Sequence, residues 1–552
     1  MNATDYLQEA YAKVPGIGQG NRWYDLPYSV INFLLGRRAR KFIPRPVRAG
    51  LNYFINQLLQ FNVHERNIAR SRDDPLHNIS VSSDERVSMP VVWVIELFPP
   101  SHISDLARAI ERHSWDKGRA RYRPGESNQE ILERSRAGRG WVWWQIGDIA
   151  AEGSPGVPGR TMRQELPTEF SNIEIHGLQI GEGLTAVLAQ FRLSATALRH
   201  LDDVWHADHE PQLVWKEGRL HPEDRYWAGL RRTQEARRSV HRKARSWLRR
   251  EMPGVFARNS QCQPLTDLLL LDRFDPFAES EIDQNFSSAL RALGLSRFNV
   301  NPITCSNIPG LMLEKVDTGL CATFKDEKAW TLWGQRKSIA ESVGDTSAYS
   351  DGIDGAITYV LGEALREFLA LLAIADLLEF LDAKYAELRD KSRTRHGRFR
   401  GRRLRELRED FLTLSLDVSS LTRDIESFNA RTWRHENDIR FTLNTSARLA
   451  RALREAGKKE PDPIDLVDRW RAQYTLRARE LAAIDKDYRE VLSTVASLGT
   501  SIDTIKVSRI AIWVSLASLL VALVTLLVAD IKPDAPLLAL WQWISSALHV
   551  DR

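Results

Sequence analysis

The longest regular pattern of apolar positions lies near the end of the chain. From Val467 onward, apolar side chains recur at alternating spacings of three and four residues, and Arg477 is the one polar exception. The positions are Val467, Trp470, Tyr474, Arg477, Leu481, Ile484, Tyr488, Val491, Val495, Leu498, Ile502 and Ile505. This period predicts a long helix that packs lengthwise against another helix.

The same helix is predicted to enter a membrane. Residues 510–529 are twenty positions without a charge, and about twenty apolar residues are needed to cross a bilayer as a helix. A second apolar segment, 537–550, has fourteen residues and includes Trp541 and Trp543. At about 1.5 Å per residue it covers less than the hydrocarbon core. We expect this segment to lie at the interface, where tryptophan is enriched, and a second span is the alternative.

A second run with the same period precedes the first. Its apolar positions are Leu404, Leu407, Phe411, Leu414, Val418, Leu421, Ile425 and Phe428. This run predicts a long helix over residues 402–454, after another helix over 357–390. Because the breaker segment 457–463 is short, we expect the second and third helices to be antiparallel neighbours in a coiled-coil stalk.

Residues 86–350 alternate between strand-like and helix-like patterns. The predicted strands are 90–98, 140–150, 172–180, 184–193, 265–271 and 310–316, and residues 102–113 are a predicted helix. Gly181-Glu182-Gly183 joins two of these strands and indicates a hairpin. The pattern predicts an α/β or α+β domain with a mixed sheet.

The remaining boundaries follow from these elements. Residues 1–85 form a predicted helical extension, 351–505 the stalk, and 506–552 the membrane anchor. Within the extension, the apolar run 28–35 is followed by Arg37, Arg38, Arg40 and Lys41. We interpret it as a helix that packs on a core and precedes a basic loop. A helix lying on a membrane surface is the alternative.

Global charge and cysteine content narrow the class of protein. Lysine and arginine outnumber acids by 77 to 72, a surplus of five over 552 residues, so global charge does not favour nucleic acid as a partner. The three cysteines, Cys262, Cys305 and Cys321, form no CxxC pair, which favours a reducing compartment. The first residues contain acids and no apolar run, so we expect no secretory signal there.

Basic residues cluster where the second helix begins. An antiparallel return of that helix places its start near the membrane, where lysine and arginine mark the cytoplasmic side and bind anionic lipid. The predicted membrane-surface residues are Lys391, Arg393, Arg395, Arg398, Arg400, Arg402, Arg403, Arg405, Arg408, Lys506 and Arg509. We therefore expect an inner-membrane protein with most of its chain in the cytoplasm and with membrane lipids as partners. A solvated basic loop is the alternative.

A second basic block lies inside the α/β region. It contains Arg231, Arg232, Arg237, Arg238, Arg242, Lys243, Arg245, Arg249 and Arg250, interleaved with an apolar face. We interpret the block as a helix that covers the sheet and directs its arginines into water. Binding to nucleic acid or another acidic partner is the less favoured alternative.

The order of elements resembles the CorA-like family of divalent-cation channels. An N-terminal α/β domain is followed by antiparallel helices, a long stalk helix that enters the membrane, and a short final apolar segment. Where that family carries Gly-Met-Asn after the first span, this chain has Ala529-Asp530-Ile531. The resemblance implies a ring-shaped homo-oligomer, commonly a pentamer, and Asp530 and Asp534 would then be acids at a pore mouth.

Candidate chemistry is sparse. Asp202, His206 and His209 share one face of a predicted helix, and imidazole with carboxylate suits a divalent metal ion. Solvated acids and histidines are the alternative. No motif of a nucleophile with its base is recognisable, so we expect no enzyme. Two hypotheses remain: a membrane-anchored sensor or scaffold whose α/β domain binds a ligand or partner, and a divergent CorA-like channel.

Overall fold

A computed structural model describes residues 13–36, 43–73, 78–113, 115, 127–138, 143–154, 161–277, 284–295, 302–316, 328–344, 352–394, 401–430, 439–528 and 536–547. The strands are β1 (Val87–Ser88), β2 (Val91–Phe98), β3 (Trp143–Ala150), β4 (Met162–Arg163), β5 (Phe170–Gln179), β6 (Thr185–Leu193), β7 (Gln212–Lys216), β8 (Arg219–Glu223), β9 (Leu265–Leu271), β10 (Ile303–Cys305), β11 (Leu311–Lys315), β12 (Ala329–Gln335), β13 (Phe441–Leu443) and β14 (Ile464–Asp465).

The helices precede, cover and follow the strands. They are α1 (Asp25–Leu35), α2 (Arg45–Asp73), α3 (Ile103–His113), α4 (Asn128–Arg136), α5 (Ala195–His206), α6 (Arg225–Glu251), α7 (Val255–Arg258), α8 (Gln284–Leu293), α9 (Arg336–Val343), α10 (Gly352–Ala364), α11 (Arg366–Thr394), α12 (Gly401–Ala430), α13 (Ala447–Glu455), α14 (Leu466–Val528) and α15 (Pro536–Ala547). A short 3-10 turn, Pro100–His102, lies between β2 and α3.

One mixed sheet organises the described part of the α/β region. Its strand order is β14-β13-β10-β11-β12-β9-β2-β6-β5-β3-β4, and β1 pairs with β9. β9 and β12 are parallel, whereas β9 and β2 are antiparallel. Every residue of β2 and β9 is buried. This explains why both strands are mainly apolar, with Glu96 and Asp267 as the charged exceptions. The predicted mixed-sheet domain is confirmed.

The strands predicted from apolar runs are confirmed with small shifts at their ends. The predicted hairpin is also confirmed, since β5 and β6 pair antiparallel and Gln179 lies opposite Thr185. β12 was absent from the prediction, although it is a central strand between β9 and β11. Its sequence, AWTLWGQ, mixes aromatic, small and polar side chains and lacks the run of β-branched residues that identifies β2.

The continuous helix predicted over residues 402–454 is wrong. Helix α12 ends at Ala430, and β13 then pairs with both β10 and β14 at one end of the sheet. Phe441 of β13 is fully buried and its ring lies 4.6 Å from that of Phe368. The chain forms a strand here because its backbone groups pair with two neighbouring strands, and this pairing outweighs local helix propensity. Helix α13 starts anew at Ser446, whose hydroxyl accepts from the Leu449 amide.

The chain forms two compact units whose limits differ from the predicted domains. The larger unit comprises Met1–Arg389 and Thr413–Leu481, and the smaller comprises Asp390–Leu412 and Ala482–Arg552. The larger unit thus contains the sheet together with much of the helical region that the sequence assigned to a stalk. The reason is that α10, α11 and the last part of α12 bury their apolar side chains within this unit.

Within the larger unit, α12 and α14 run antiparallel. The Thr422 hydroxyl donates to the Ala478 carbonyl at 3.2 Å, and the Asn429 amide donates to the Arg471 carbonyl at 3.0 Å. The buried stripe on α14 is Val467, Arg471, Tyr474, Ala478 and Leu481. It is rotated from the predicted stripe at two positions, where Arg471 and Ala478 replace Trp470 and Arg477.

The rotation of that stripe leaves Trp470 only half-buried. Arg471 tolerates burial because its guanidinium pairs with Glu367 at 2.6 Å.

The β5–β6 turn receives a carboxylate from α12. Asp424 accepts hydrogen bonds from the amides of Gly183 and Leu184, each at 2.8 Å. A Cβ atom at Gly183 would lie 1.9 Å from the Ser420 hydroxyl oxygen, so the close approach of α12 requires glycine there. Burial raises the pKa of Asp424, while these amide donors act in the opposite direction.

The smaller unit contains the later part of α14. Asp485 is fully buried and pairs with Arg489, and the rings of Phe411 and Tyr488 lie 6.1 Å apart. The segment Ser508–Thr525 has a mean hydropathy of 1.9, and none of it is buried. Among the described residues it is the one helix whose length and composition suit a membrane span. Helix α15 has twelve residues.

The N-terminal helix α1 departs from its prediction on one face. Ile31 of α1 packs with Tyr24 and Leu58 in a small apolar cluster between α1 and α2. The opposite face of α1 is exposed, and Phe33 is 79% accessible. The interpretation of this segment as a core-packing helix therefore holds for only one side of the helix.

A candidate ligand-binding cleft and two buried polar clusters

A cleft of about 740 Å³ opens in the larger unit where β9 and β12 begin. The two strands are parallel and adjacent, so the residues just before them meet at one edge of the sheet. Helices α11 and α14 supply the facing wall. The lining residues are Ser260, Gln261, Cys262, Pro264, Lys315, Lys328, Trp330, Leu372, Ala375, Asp376, Glu379, Phe380, Ala383, Trp470 and Tyr474.

Aromatic rings form one wall of the cleft. Trp470 lies edge-on to Trp330, with 5.6 Å between ring centroids, and it stacks on Phe368 at 5.7 Å. Tyr474 follows four residues after Trp470 on α14, and their rings are 6.3 Å apart. Trp330 and Trp470 are half-buried. Each therefore keeps part of its ring accessible for stacking with another planar group.

Charged groups face these rings from α11 and from the start of β12. The Lys328 ammonium lies 3.3 Å from an Asp376 carboxylate oxygen and 3.4 Å from a Glu379 oxygen. Asp376 and Glu379 are three residues apart on α11 and so share one face. Burial raises the pKa of Asp376 to about 6, although the charge of Lys328 acts to lower it. Burial, followed by the charge of Asp376, raises the pKa of Tyr474 to about 12.

This arrangement can bind a compact ligand that has both a planar apolar part and polar groups. The rings offer stacking surface, Lys328 offers a cation, and Asp376 with Glu379 offers acceptors. A concave site with a few convergent polar groups and a perturbed carboxyl is typical of ligand binding. Cys262 is half-buried at the same edge. The cleft therefore has the features of a binding site.

A second polar cluster is sealed inside the α/β core. Asp267 on β9 accepts two hydrogen bonds from the Arg237 guanidinium, at 2.7 Å and 2.6 Å, and lies 2.8 Å from Nε2 of His241. Arg237 also donates to the Leu293 carbonyl. The three side chains are at most 1% exposed. Because no solvent reaches them, we assign this cluster a structural role.

The basic block of residues 231–250 is thus only partly as predicted. Helix α6 does cover the sheet, since Val240, Ala244 and Trp247 are buried in the same core as the sheet residues. However, Arg237 and Arg245 turn inward instead of into water. Arg245 donates to the Gln263 carbonyl at 2.8 Å and to the Lys328 carbonyl at 3.2 Å. Sequence periodicity did not predict these buried arginines. A buried arginine needs a hydrogen-bond acceptor, and the acceptors here lie on other elements, where a local pattern does not reveal them.

Glu96 on β2 is the second buried carboxyl of this core. It accepts from the amides of Phe256 and Ala257, at 2.8 Å and 3.1 Å, and from the Gln263 amide group at 2.6 Å. It thus satisfies the first amides of the short helix α7. Burial raises the pKa of Glu96 to about 7. Because it is fully buried and bound by these three donors, we regard it as structural too.

The residues predicted to bind metal have other contacts. Nδ1 of His206 lies 2.7 Å from the Asp202 carbonyl, and Nε2 lies 2.7 Å from the Glu85 carbonyl. Carbonyl oxygens only accept, so these contacts favour an imidazolium without a lone pair for a metal. Burial lowers the pKa of His206, but the two carbonyls outweigh it and raise the pKa overall.

His209 is buried at the end of the same segment, and its Nε2 lies 3.1 Å from the Val204 carbonyl. Burial lowers the pKa of His209. Within the described ranges no group of three His, Cys, Asp or Glu side chains is arranged to hold a metal ion. The geometry lends the predicted metal site no support, and it stays a prediction from sequence.

The other predicted site residues lie largely beyond what the structure describes. Arg395, Arg398, Arg400, Asp530 and Asp534 lie outside the described residues. For Arg393, Arg402, Arg403, Arg405, Arg408 and Lys506 the helical backbone is described and the side chain is not. Lys391 is half-buried and Arg509 is exposed. The membrane-surface and pore-mouth assignments remain predictions.

The cleft residues were mostly missed by sequence reasoning. Trp470 and Tyr474 were noticed, but as packing positions of a heptad. One signal was available on α11, where Asp376, Glu379, Phe380 and Ala383 follow helical spacing and mix charge with an aromatic ring. No local pattern links them to Lys328, because the sheet register and the α11–α14 packing bring these positions together.

A scan against models of known protein families and a search of curated proteins both return no match for this chain.

Proposed function

We propose that this chain is a membrane-anchored sensor or scaffold protein whose α/β unit binds a ligand or partner in the cleft. One observation carries the proposal. Helix α14 supplies Trp470 and Tyr474 to the cleft, and the same helix includes the candidate span Ser508–Thr525. Helix α14 therefore belongs to both the candidate site and the candidate anchor.

The physical route from site to anchor is the helix itself. Helical order is cooperative, so a ligand that fixes the first turns of α14 stabilises the turns that follow. A ligand shifts such an equilibrium only by its difference in affinity between two states. Stacking against Trp470 supplies that difference if the ring is less ordered in the empty cleft.

The proposal extends to location and assembly. We place the α/β unit on the cytoplasmic side of the inner membrane, with the basic residues between Lys391 and Arg408 close to anionic headgroups. The paired α12 and α14 helices would serve as a stalk, and we expect a homo-oligomer with membrane lipids as partners. The absence of any acid or base among the apolar residues 510–529 supports the anchor.

The ligand test uses the full chain in lipid nanodiscs. Native mass spectrometry against a panel of aromatic and heteroaromatic metabolites should yield at least one adduct. Lys328→Met and Trp330→Ala should each abolish that adduct, because they remove the cation and one stacking ring. Trp215→Ala is the matched control, since Trp215 is 61% exposed and outside the cleft lining.

The same preparation then tests whether ligand binding in the cleft affects the later part of α14. Addition of the adduct-forming compound should slow hydrogen exchange of backbone amides in residues 482–507 of the wild type and leave Lys328→Met unchanged. A panel without any adduct, or adducts that survive both cleft substitutions, would count against the binding site. Binding without a change in exchange would count against the sensor.

A CorA-like divalent-cation channel is the second proposal, and helix α15 is the observation that favours it. Its twelve residues are mainly apolar and follow the candidate span after a short connection. They cover about 18 Å at 1.5 Å per residue, less than the hydrocarbon thickness of about 30 Å, so the channel proposal requires that this helix cross a locally thinned bilayer. A reporter fused after Arg552 separates the two proposals. An external reporter supports the single-span anchor, and a cytoplasmic reporter supports the channel.

A further inference from the structure

The cleft of the larger unit carries balanced charge. Among its lining residues Lys315 and Lys328 are basic, and Asp376 and Glu379 are acidic. A cleft lined by one sign of charge concentrates ligands of the opposite sign, whereas two cations and two anions cancel here. The volume of about 740 Å³ is that of a small-molecule site. These properties favour a neutral ligand that is recognised by the positions of its hydrogen-bonding groups.

The polar groups of the cleft have a fixed order. The Lys328 ammonium, which only donates, lies 3.3 Å from Oδ1 of Asp376 and 3.4 Å from Oε2 of Glu379. The main chain of Lys328 is held in place, because its carbonyl accepts from Arg245 at 3.2 Å and from the Leu265 amide at 3.1 Å. Asp376 is 18% exposed, and a carboxylate can accept two parallel N–H bonds. The lining therefore presents one donor beside two acceptors.

This order is complementary to one edge of a fused 2-amino-4-oxopyrimidine ring, which occurs in guanine and in pterins. That edge carries a carbonyl oxygen, a ring N–H and an amino group side by side, so it offers one acceptor and then two donors. Adenine instead places a ring-nitrogen lone pair next to its amino group, and that lone pair would face the Asp376 carboxylate. A purely hydrocarbon ring would leave the carboxylate without a donor, which weakens binding.

Stacking surface lies next to these polar groups. Lys328 and Trp330 are two residues apart in an extended segment, so their side chains lie on the same side of the sheet. The ring planes of Trp330 and Trp470 are inclined by 65° with 5.6 Å between centroids, and Phe368 stacks on Trp470. A planar ligand that stacks on one tryptophan thus meets the edge of the other. Every heterocyclic base stacks on such rings, so selectivity depends on the polar groups.

We propose that the cleft binds a neutral fused heterocycle with a 2-amino-4-oxopyrimidine edge, as guanine nucleosides and pterins have. Lys328 donates to the ring carbonyl. The two oxygens of Asp376 accept from the ring N–H and from the amino group, and the ring lies against Trp330 and Trp470. The assignment rests on the proposed function, because it names the ligand class of the same cleft.

The titration of Asp376 gives this recognition a pH dependence. Burial raises the pKa of Asp376 to about 6, Glu379 acts in the same direction, and Lys328 and Lys315 act to lower it. Tyr474 also lies close enough for its pKa to be raised by the charge of Asp376. A protonated carboxyl no longer accepts from two N–H groups. Affinity for the ligand should therefore increase as the pH rises from about 5 to about 8.

The test measures dissociation constants by isothermal titration calorimetry on the full chain in lipid nanodiscs. Guanosine and biopterin are the probes, and they distinguish a nucleoside source from a pterin source. Inosine lacks the amino group, and adenosine has the other edge. We expect guanosine or biopterin to bind. Inosine should bind about ten-fold or more weakly than guanosine, because a hydrogen bond to a charged group is lost, and adenosine should give no heat of binding.

Asp376→Asn tests which side chain recognises the edge. Asparagine keeps one acceptor and replaces the other by a donor, which suits a ring N–H beside a carbonyl. The variant should bind guanosine about ten-fold or more weakly than wild type and bind xanthosine, the 2-oxo counterpart, more tightly. The same exchange is expected between biopterin and lumazine. Asp382→Asn is the matched control, because Asp382 lies on α11, pairs with Arg477 and is outside the cleft lining.

Three outcomes would overturn the assignment. These are equal affinities for guanosine and inosine, an affinity for guanosine and biopterin that Asp376→Asn leaves unchanged, and binding that strengthens as the pH falls. A fourth outcome separates it from the proposed function. If neither guanosine nor biopterin binds, while another compound of the metabolite panel gives an adduct that Lys328→Met abolishes, the ligand class is wrong and the cleft remains a binding site.

Discussion

Two carboxylates of this protein, the buried Asp267 and the half-buried Asp376, meet cations in different ways. Asp267 is completely enclosed and bound by Arg237 and His241 through three hydrogen bonds. Burial acts to raise the pKa of Asp267, but the charge of Arg237 and the contact with His241 outweigh it and hold the pKa well below its usual range. The negative charge of Asp267 is therefore compensated by Arg237 inside the fold.

Asp376 has weaker compensation. The cation that pairs with it, Lys328, is 3.3 Å away and is shared with Glu379, and Lys315 adds a weaker charge effect. Burial therefore prevails and raises the pKa of Asp376 to about 6. The comparison shows that the two acids have different roles, which follow from the geometry of their cation partners. A bidentate, fully satisfied carboxylate supports the core, and an incompletely balanced one at the rim of a cleft is available to a ligand.

The contributions of Asp267 and Asp376 to the stability of the fold also depend on pH in opposite directions. Since the folded-state pKa of Asp267 is depressed, its stabilising contribution is present at neutral pH and is lost as the pH falls far below the usual range of aspartate. The folded-state pKa of Asp376 is raised. Its contribution is present at acidic pH and is lost as the pH rises from about 4 through about 6.

The largest expected effect comes from breaking the core pair. Arg237→Met leaves Asp267 buried without its bidentate partner, and removal of one partner of a buried pair costs about 3–5 kcal/mol. Chemical unfolding of the full chain in detergent measures the loss. Arg232→Met is the matched control, because Arg232 lies on the same helix and is exposed. A loss no larger than that of the control would contradict the structural role of the pair.

The second largest expected effect is on the pH dependence of the free energy of unfolding, which Asp376→Asn should change. Asp376→Asn should raise the free energy of unfolding at pH 8 relative to wild type and remove the component that declines between about pH 4 and 6. A pKa change from 3.8 to about 6 corresponds to at most about 3 kcal/mol. Unfolding curves at several pH values check this. Asp382→Asn on the same helix is the control, and an identical pH profile for both variants would refute the assignment.

The smallest expected effect belongs to Lys328→Met. Lys328 is 28% exposed, so its ion pairs with Asp376 and Glu379 should contribute about 1 kcal/mol or less. The substitution should move the Asp376 transition to higher pH, because the ammonium that favours the carboxylate is removed. Fluorescence of the adjacent Trp330 and Trp470 as a function of pH can follow it, with Lys337→Met as an exposed control. A downward shift would contradict the role of Lys328.

Much of the fold follows from local patterns that are unusually clear in this chain. The apolar run of β2 and the strand β9 identify central strands, and Gly181-Glu182-Gly183 identifies a hairpin, because both signals depend on neighbours in sequence. The antiparallel contact of α12 with α14 agrees with their heptad positions, but the two helices are separated by β13, α13 and β14 and not by the short connection on which the prediction relied. These elements were predictable since the hydrophobic period specifies both the type of element and its buried face.

Other elements depended on partners distant in the chain. The segment Phe441–Leu443 lies where the sequence predicts helix, and it becomes a strand because β10 and β14 pair with it. Arg471 and Arg237 are buried on helix faces that propensity assigns to apolar residues, since Glu367 and Asp267 meet them from other elements. The cleft belongs to this class, as its charged residues come from a strand start and a helix that no motif connects.

By itself, the sequence determined that the chain contains an α/β domain with a mixed sheet, long helices after it, and one apolar segment that suits a membrane span. Those properties are periodic or compositional, so they are readable from neighbouring residues. Only the tertiary structure decided which charges are buried, that the region after α12 rejoins the sheet, that α1 keeps an apolar face exposed, and that Lys328, Asp376 and Trp470 share a cleft. The physical reason is that burial and ion pairing depend on contacts between residues that lie from about thirty to more than a hundred positions apart, which hydrophobic periodicity does not encode.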